Sequence, residues 1–170
     1  MKSVLRGAVF VALSLSPALA ASTPIRSLMT GSGGQLSVDD SLFIVGKRTN
    51  AGTALNLGVG SLETKGGRLR GITVFAFKEH LTTSELDLNA TNVNRVARTC
   101  FNISPERAGA VTGWLGRQNQ AAIRNVTQSF GPLKVHFVRD ITSSGAYFTA
   151  VYLRRTGTPG VAPWTSYCTE

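Results

Sequence analysis

The apolar periodicity of this chain changes twice, and that change constrains the fold more than any other feature of the sequence. Three β-type runs come first, over residues 42–45, 54–62 and 72–77, and turn residues end each of them. The second run alternates apolar with small or polar residues, which is typical of a half-buried strand. The third run is apolar on both faces, which predicts a central strand covered on both sides.

The middle of the chain has a helical period instead. Apolar residues recur at the spacing of one helix face over residues 93–100, after a predicted N-cap at Thr91 or Asn92. Residues 104–106, Ser-Pro-Glu, predict the start of a second helix. Ser is a favoured cap, Pro fits the first turn, and a carboxylate suits the positive end of the helix dipole. Residues 119–130 fit either a continuing helix or a strand.

Period two returns in the last third of the chain. Residues 133–137 alternate apolar with polar side chains, residues 142–145 have turn composition, and residues 146–154 indicate a strand that is apolar on both faces. The order β-β-β-α-α-β-β predicts an α+β domain, with a mostly antiparallel sheet and helices packed on one face. We place this single domain at residues 39–170.

The first twenty residues have the pattern of a secretory signal peptide. Lys2 and Arg6 form a positive start, residues 7–15 are apolar, and small residues lead to a cleavage site between Ala20 and Ala21. The apolar run is too short for a transmembrane helix, and no later run reaches that length. We therefore predict export to the periplasm, the cell envelope or the medium, with no transmembrane anchor in the mature chain.

Residues 21–38 have few apolar side chains and no sustained period. Their Ser, Thr and Gly content predicts a flexible leader. The glycine-rich residues 31–34 follow no predicted strand and lack the Lys and Ser or Thr of a phosphate-binding loop, so we predict no nucleotide cofactor.

The chain has two cysteines, Cys100 and Cys168, and export would place them where disulfides persist. A single structural disulfide is the favoured prediction, with free buried thiols as the alternative. A redox-active pair is disfavoured because the C-x-x-C spacing is missing. Closing so long a loop would constrain the unfolded chain by roughly 4 kcal/mol in the chain-entropy model.

The charge of the chain is strongly basic. There are 18 Lys and Arg residues against 9 Asp and Glu, and loss of Lys2 and Arg6 leaves 16 against 9, a net charge of +7. Such a charge attracts anionic polymers, among them nucleic acid, lipid headgroups and wall polymers, although a merely solvated basic surface has the same composition. The candidate binding residues are Lys47, Arg48, Tyr152, Arg154 and Arg155.

The candidate catalytic residues are Glu79, His80 and His136, since a carboxylate and histidines near strand ends suit general acid-base chemistry. A small secreted nuclease would add Arg68 and Arg70 as phosphate ligands. The structural alternative puts His80 in a loop and His136 on a wet strand face. The chain has neither a nucleophile elbow nor a set of zinc ligands, so we predict no metal site.

Five aromatic residues fall in the predicted strands or beside them. Alternated with Lys and Arg, such rings stack on nucleic-acid bases, but a core position is the favoured prediction for most of them. Tyr152, close to Arg154 and Arg155, is the exception. The five are Phe75, Phe77, Tyr147, Phe148 and Tyr152.

Two functional hypotheses follow from these observations. The leading one is a small exported, non-enzymatic protein whose basic face binds an anionic envelope component, or whose sheet edge binds another protein. The alternative is a small secreted hydrolase, with a nuclease as its most specific form.

Overall fold

The computed structural model describes residues 20–30, 35–39, 42–48, 50, 52, 54–122 and 125–170. Within them the chain forms three helices and nine strands, and the strands belong to one mostly antiparallel sheet. The predicted α+β class is therefore confirmed. Apart from Ala20, the predicted signal peptide lies outside the described residues.

The sheet has its strands in the order β2-β3-β4-β5-β8-β7-β6, and each neighbouring pair in this order is antiparallel. Strand β9 pairs with β5 and also, in parallel, with β1. The strands are β1 (Ala21–Pro24), β2 (Gln35–Asp39), β3 (Leu42–Arg48), β4 (Ala54–Lys65), β5 (Arg68–Ala76), β6 (Asn125–Phe130), β7 (Leu133–Ile141), β8 (Tyr147–Arg155) and β9 (Ser166–Thr169). The helices are α1 (Ile25–Thr30), α2 (Thr83–Thr99) and α3 (Pro105–Gln120).

Helix α2 begins earlier than the sequence pattern predicted. Its N-cap is Thr82, which forms a capping box with Glu85, whereas the predicted caps Thr91 and Asn92 lie inside the helix. The local signal is Thr-x-x-Glu, which satisfies two backbone N–H groups at once. Helix α3 starts at the predicted cap, Ser104.

The core lies between the sheet and the two long helices. Trp114 of α3 packs edge-on against Phe130 and Phe137, with ring centroids 5.9 and 6.4 Å away. Ile72 and Val74 of β5 are buried on the same side of the sheet. We call the opposite side, which carries Phe75 and Tyr152, the open face.

The third β-type run forms most of β5, which is a central strand as predicted. Its open face is covered at Thr73, which is 5% exposed, but not beyond it. Phe77 is 69% exposed and Phe75 is half-buried, while Ile72 and Val74 are buried. The difference arises because α2 and α3 cover only one face of this sheet. Residues 125–130, which fitted either a helix or a strand, form β6 at the end of the strand order.

The predicted disulfide between Cys100 and Cys168 is present, and both residues are fully buried. It joins the end of α2 to β9. The indole Nε1 of Trp164 donates a hydrogen bond to the carbonyl of Cys100 over 2.8 Å, which adds a second tie between the C-terminal segment and α2.

Residues 21–30 and 35–39, most of which fall in the predicted flexible leader, form β1, α1 and β2. Strand β1 pairs with β9, and Ile25 and Met29 of α1 are each only 1% exposed. The overlooked signal is local, because Ile25, Leu28 and Met29 recur at the spacing of one helix face. Burial of that face against the domain makes Ile25, Leu28 and Met29 part of the core.

Candidate functional site

The open face carries an aromatic pair at its centre. His136 of β7 lies opposite Tyr152 of β8, and their rings stack with centroids 5.5 Å apart at an interplanar angle of 29°. The Nε2 of His136 lies 2.5 Å from Oδ1 of Asn125. This distance is that of a hydrogen bond, which orients the imidazole ring and occupies its Nε2.

Two cations lie next to this pair, both on the same side of it along the strands. Lys134 and Arg154 lie opposite each other on β7 and β8, two residues along from His136 and Tyr152, and so project from the same face. Lys134 is exposed. We call these four residues the aromatic–cationic row.

Arg154 already has an acidic partner. Its Nη2 lies 3.0 Å from Oε1 of Glu63, and the two side chains remain 59% and 42% exposed. Gly71 lies between them in the sheet, and a Cβ at that position would come within 3.2 Å of Oε2 of Glu63. Glycine thus lets Glu63 reach across β5. An ion pair as exposed as this one contributes at most about 1 kcal/mol, so a ligand can replace it.

An apolar cleft lies further along the same face. Phe75 and Phe77 are in edge-to-face contact, with centroids 5.5 Å apart, and the cleft beside them has a volume of about 270 Å³. Gly58 makes room for the Phe75 ring, because a Cβ at position 58 would come within 2.4 Å of that ring. We call this the Phe75–Phe77 cleft. Its lining consists of Ile44, Asn56, Gly58, Phe75, Ala76, Phe77, Lys78 and Glu85.

At the mouth of this cleft, Lys78 is held by Glu85. Its Nζ lies 2.6 Å from Oε1 of Glu85. Burial acts to raise the pKa of Glu85, but hydrogen bonds from Lys78 and from the backbone and hydroxyl of Thr82 outweigh it, so that this pKa lies below its ordinary value. The same carboxylate therefore caps α2 and positions Lys78.

Glu79 and His80 lie away from the open face, close to the C-terminal end of α3. The Nδ1 of His80 is 2.7 Å from the carbonyl of Asn119, the end of α3, and its Nε2 is 3.7 Å from Glu79. The buried guanidinium of Arg139 donates to the same Asn119. Burial lowers the pKa of Arg139, and the charge of Glu79 acts in the opposite direction.

The three candidate catalytic residues are therefore not assembled into one site. Arg139 and His136 are three residues apart on β7, so their side chains project from opposite faces. His80 shares Asn119 with Arg139 and lies on the helix side of the sheet. His136 lies on the open face, beside Tyr152. Glu79 and His80 thus belong to a polar network at the end of the sheet.

Arg155 is not a surface ligand, contrary to its place among the predicted binding residues. It is 3% exposed, its Nη1 donates to the carbonyl of Phe101, and its guanidinium lies 4.8 Å from the centre of the Trp164 ring. Burial lowers its pKa. The reason is the period of the strand, which turns Arg155 into the core when Arg154 faces outward.

Arg68, a phosphate ligand in the nuclease hypothesis, instead contacts the C-terminal segment of the chain. Its Nη1 donates to the carbonyl of Pro159 over 2.7 Å, and its guanidinium lies 4.7 Å from the centre of the Tyr167 ring. Arg70 is half-buried on the same strand. These contacts attach the C-terminal segment to β5.

Lys47 and Arg48 are exposed but lie apart from the aromatic–cationic row. Both line a cleft of about 320 Å³ between the end of β3 and the start of α2, together with Asp87. Two strands, β4 and β5, separate β3 from β8. Of the predicted binding residues, only Tyr152 and Arg154 belong to the aromatic–cationic row.

The structure adds Lys134, Asn125 and Glu63 to this site, none of which the sequence analysis proposed. The signal for Lys134 was present in the strand period, which places it on one face with His136. The signal for Asn125 and Glu63 was not local, since their contacts depend on which strands pair.

The described residues contain no group of three or more His, Cys, Asp or Glu that could hold a metal ion. In the same part of the chain, no helix is both long and apolar enough to cross a membrane. Comparison with known proteins finds no matching family model, no similar curated protein and no similar solved structure.

Proposed function

We propose that this protein is exported, is not an enzyme, and binds a flexible phosphodiester polymer on the open face of its sheet. The observation that carries the proposal is the aromatic–cationic row. His136 and Tyr152 stack at the centre of the face, and Lys134 and Arg154 lie beside them in register. Aromatic surface next to paired cations suits a polymer that combines phosphates with planar or apolar groups.

The two cations are suited to phosphate for different reasons. Lys134 is exposed and has no salt bridge among the described residues, so its ammonium group can meet an anion without losing a partner. Arg154 can exchange the Glu63 carboxylate for a phosphate, because both side chains of that pair are solvated. The guanidinium then keeps a charge-assisted hydrogen bond in the bound state.

The arrangement of the histidines favours binding over hydrolysis. Asn125 occupies Nε2 of His136, and His80 is held by Asn119 on the other side of the sheet. A general base and a general acid would both have to reach one phosphate. The hydrolase hypothesis required Glu79, His80 and His136 to face one substrate.

Two further observations support an exported protein that binds polyanions. The buried disulfide between Cys100 and Cys168 suits an oxidising compartment. Removal of the predicted signal peptide leaves 16 basic residues against 9 acidic ones, a net charge of +7, so the whole molecule attracts polyanions before the row makes contact.

The test is fluorescence anisotropy of a labelled abasic oligodeoxynucleotide with the purified protein over a range of NaCl concentrations. The logarithm of the affinity should fall linearly with the logarithm of salt concentration. Lys134→Ala and Arg154→Ala should each weaken binding and reduce that slope by roughly 0.7. Arg98→Ala is the matched control, because it removes the same charge from an exposed position on α2.

Failure of the abasic polymer to bind, or an equal loss in Arg98→Ala, would contradict the proposal. The same samples also test for turnover. Cleavage of the oligonucleotide that disappears in His136→Ala or His80→Ala, with the fold intact, would support the hydrolase instead.

A further inference from the structure

We infer that the polymer is a single-stranded nucleic acid, with one base against Tyr152 and another in the Phe75–Phe77 cleft. This inference rests on the proposed function. A polymer without bases would use only the cationic part of the open face. The same face also displays rings that charge recognition does not require.

Phe77 is the most exposed large apolar side chain of the described residues, at 69%. Leaving a Phe ring in water sacrifices burial that would stabilise the fold. Ile44, at the opposite wall of the cleft, is 40% exposed. The result is a concave apolar surface beside a cationic one, which is the combination that binds unpaired bases together with their phosphates.

The polar groups of the cleft suit a base. Asn56 is exposed in the lining, and its amide offers both a donor and an acceptor to the edge of a base. Lys78 lies at the mouth, where its ammonium group, held by Glu85, can also approach a phosphate. The volume of about 270 Å³ fits one planar ring system and not a folded partner.

The cleft and the aromatic–cationic row lie on a common path. Tyr152 is opposite Thr73 on β5, and Phe77 follows Thr73 by four residues, or about 14 Å along an extended chain. Lys134 and Arg154 flank Tyr152 on the far side from Phe77. A short single strand can therefore contact the cations, Tyr152 and the cleft in succession.

A duplex does not fit this path, because its bases are stacked and paired with their edges inside the helix. Ring stacking of the kind argued here needs unpaired bases that can be splayed outward. The inference therefore specifies single strands over duplex of the same sequence.

The experiment compares labelled oligothymidylate with an abasic oligodeoxynucleotide of the same length, using the full mature protein and fluorescence anisotropy. The oligothymidylate should bind more tightly, by roughly 5- to 150-fold for each stacked base. Phe77→Ala should remove a share of this preference and leave abasic binding unchanged. Tyr152→Ala should also remove a share of the preference, whereas Tyr152→Phe, which keeps the ring, should retain it. Val161→Ala is the control, since Val161 is an exposed apolar residue at 57% outside this face.

The possible outcomes distinguish a failure of this inference from a failure of the proposed function. Equal affinity for both oligomers overturns the inference and leaves the proposed function standing, while no affinity for either overturns both. A base preference that survives Phe77→Ala and Tyr152→Ala, with circular dichroism showing folded variants, overturns the assigned location. Tighter binding of duplex than of single strand overturns the inference as well.

Discussion

Breaking the Cys100–Cys168 bridge should destabilise this protein by about 4 kcal/mol, because the bridge closes a long loop. The two cysteines are 68 positions apart, and the chain-entropy model gives this value for a loop of that length. Proteins of this size unfold with a total free energy of about 5–15 kcal/mol. The bridge therefore supplies a large part of the stability.

Guanidinium chloride unfolding of three samples isolates the effect. These are the oxidised wild type, the reduced wild type and the C100A/C168A variant. Reduction keeps both sulfur atoms in the core, so the reduced sample reports the loss of the cross-link alone. The double variant adds the loss of packing at two fully buried positions and should be less stable still.

The structure also predicts where the damage begins. Cys168 lies in β9, which pairs with both β1 and β5, so its release should first weaken hydrogen-exchange protection in β1 and β9. The Trp164 hydrogen bond to Cys100 would oppose that release. If the reduced wild type unfolds within about 1 kcal/mol of the oxidised protein, the chain-entropy reasoning is refuted.

Three further predictions follow from single contacts. Arg155→Ala should lower the free energy of unfolding, measured by urea titration, by roughly 2–4 kcal/mol, because it deletes a charge-assisted hydrogen bond and a ring contact in the core. The control is Arg154→Ala at the exposed neighbouring position, which should change the free energy of unfolding by less than about 0.5 kcal/mol in the same titration. Glu85→Gln should destabilise the protein at neutral pH and flatten the pH dependence of its stability. The pKa of Glu85 is lowered in the folded state, so the stability that its carboxylate contributes is present above the unfolded pKa of about 4.3 and is lost as pH falls through the folded value. Thermal melts between neutral and acid pH measure this difference. Glu63→Gln should strengthen binding of the abasic oligonucleotide, since it frees Arg154 from its acidic partner and removes an anion. Unchanged affinity in the anisotropy assay would mean that Arg154 makes no phosphate contact.

Local signals in the sequence were enough for much of the secondary structure. Ser104 before Pro105 correctly marked the start of α3, and the alternation of β4 and β7 identified two strands. The capping box at Thr82 and Glu85 is equally local, whereas the apolar spacing of residues 93–100 alone places the start of α2 too late. The helical spacing of residues 25–29 is a local signal in the same way.

The site was harder to predict, because its contacts join residues that are distant in sequence. His136 meets Tyr152 only through the register of β7 and β8, and Glu63 meets Arg154 only across the glycine of β5. His80 is held by Asn119, 39 positions away. Residue type made Glu79, His80 and His136 catalytic candidates but could not say whether they meet, and the structure places His80 and His136 on different sides of the sheet.

The sequence by itself determined the alternation along each strand and the charge of the chain. It proposed Arg154 and Arg155 together as binding residues, and their membership of β8 shows that they project from opposite faces, because side chains alternate in a strand. Only the tertiary structure decided which face the helices cover. That choice buries Arg155 beneath Trp164, leaves Arg154 in water, and exposes Phe77, whose burial would have required a layer on the open face.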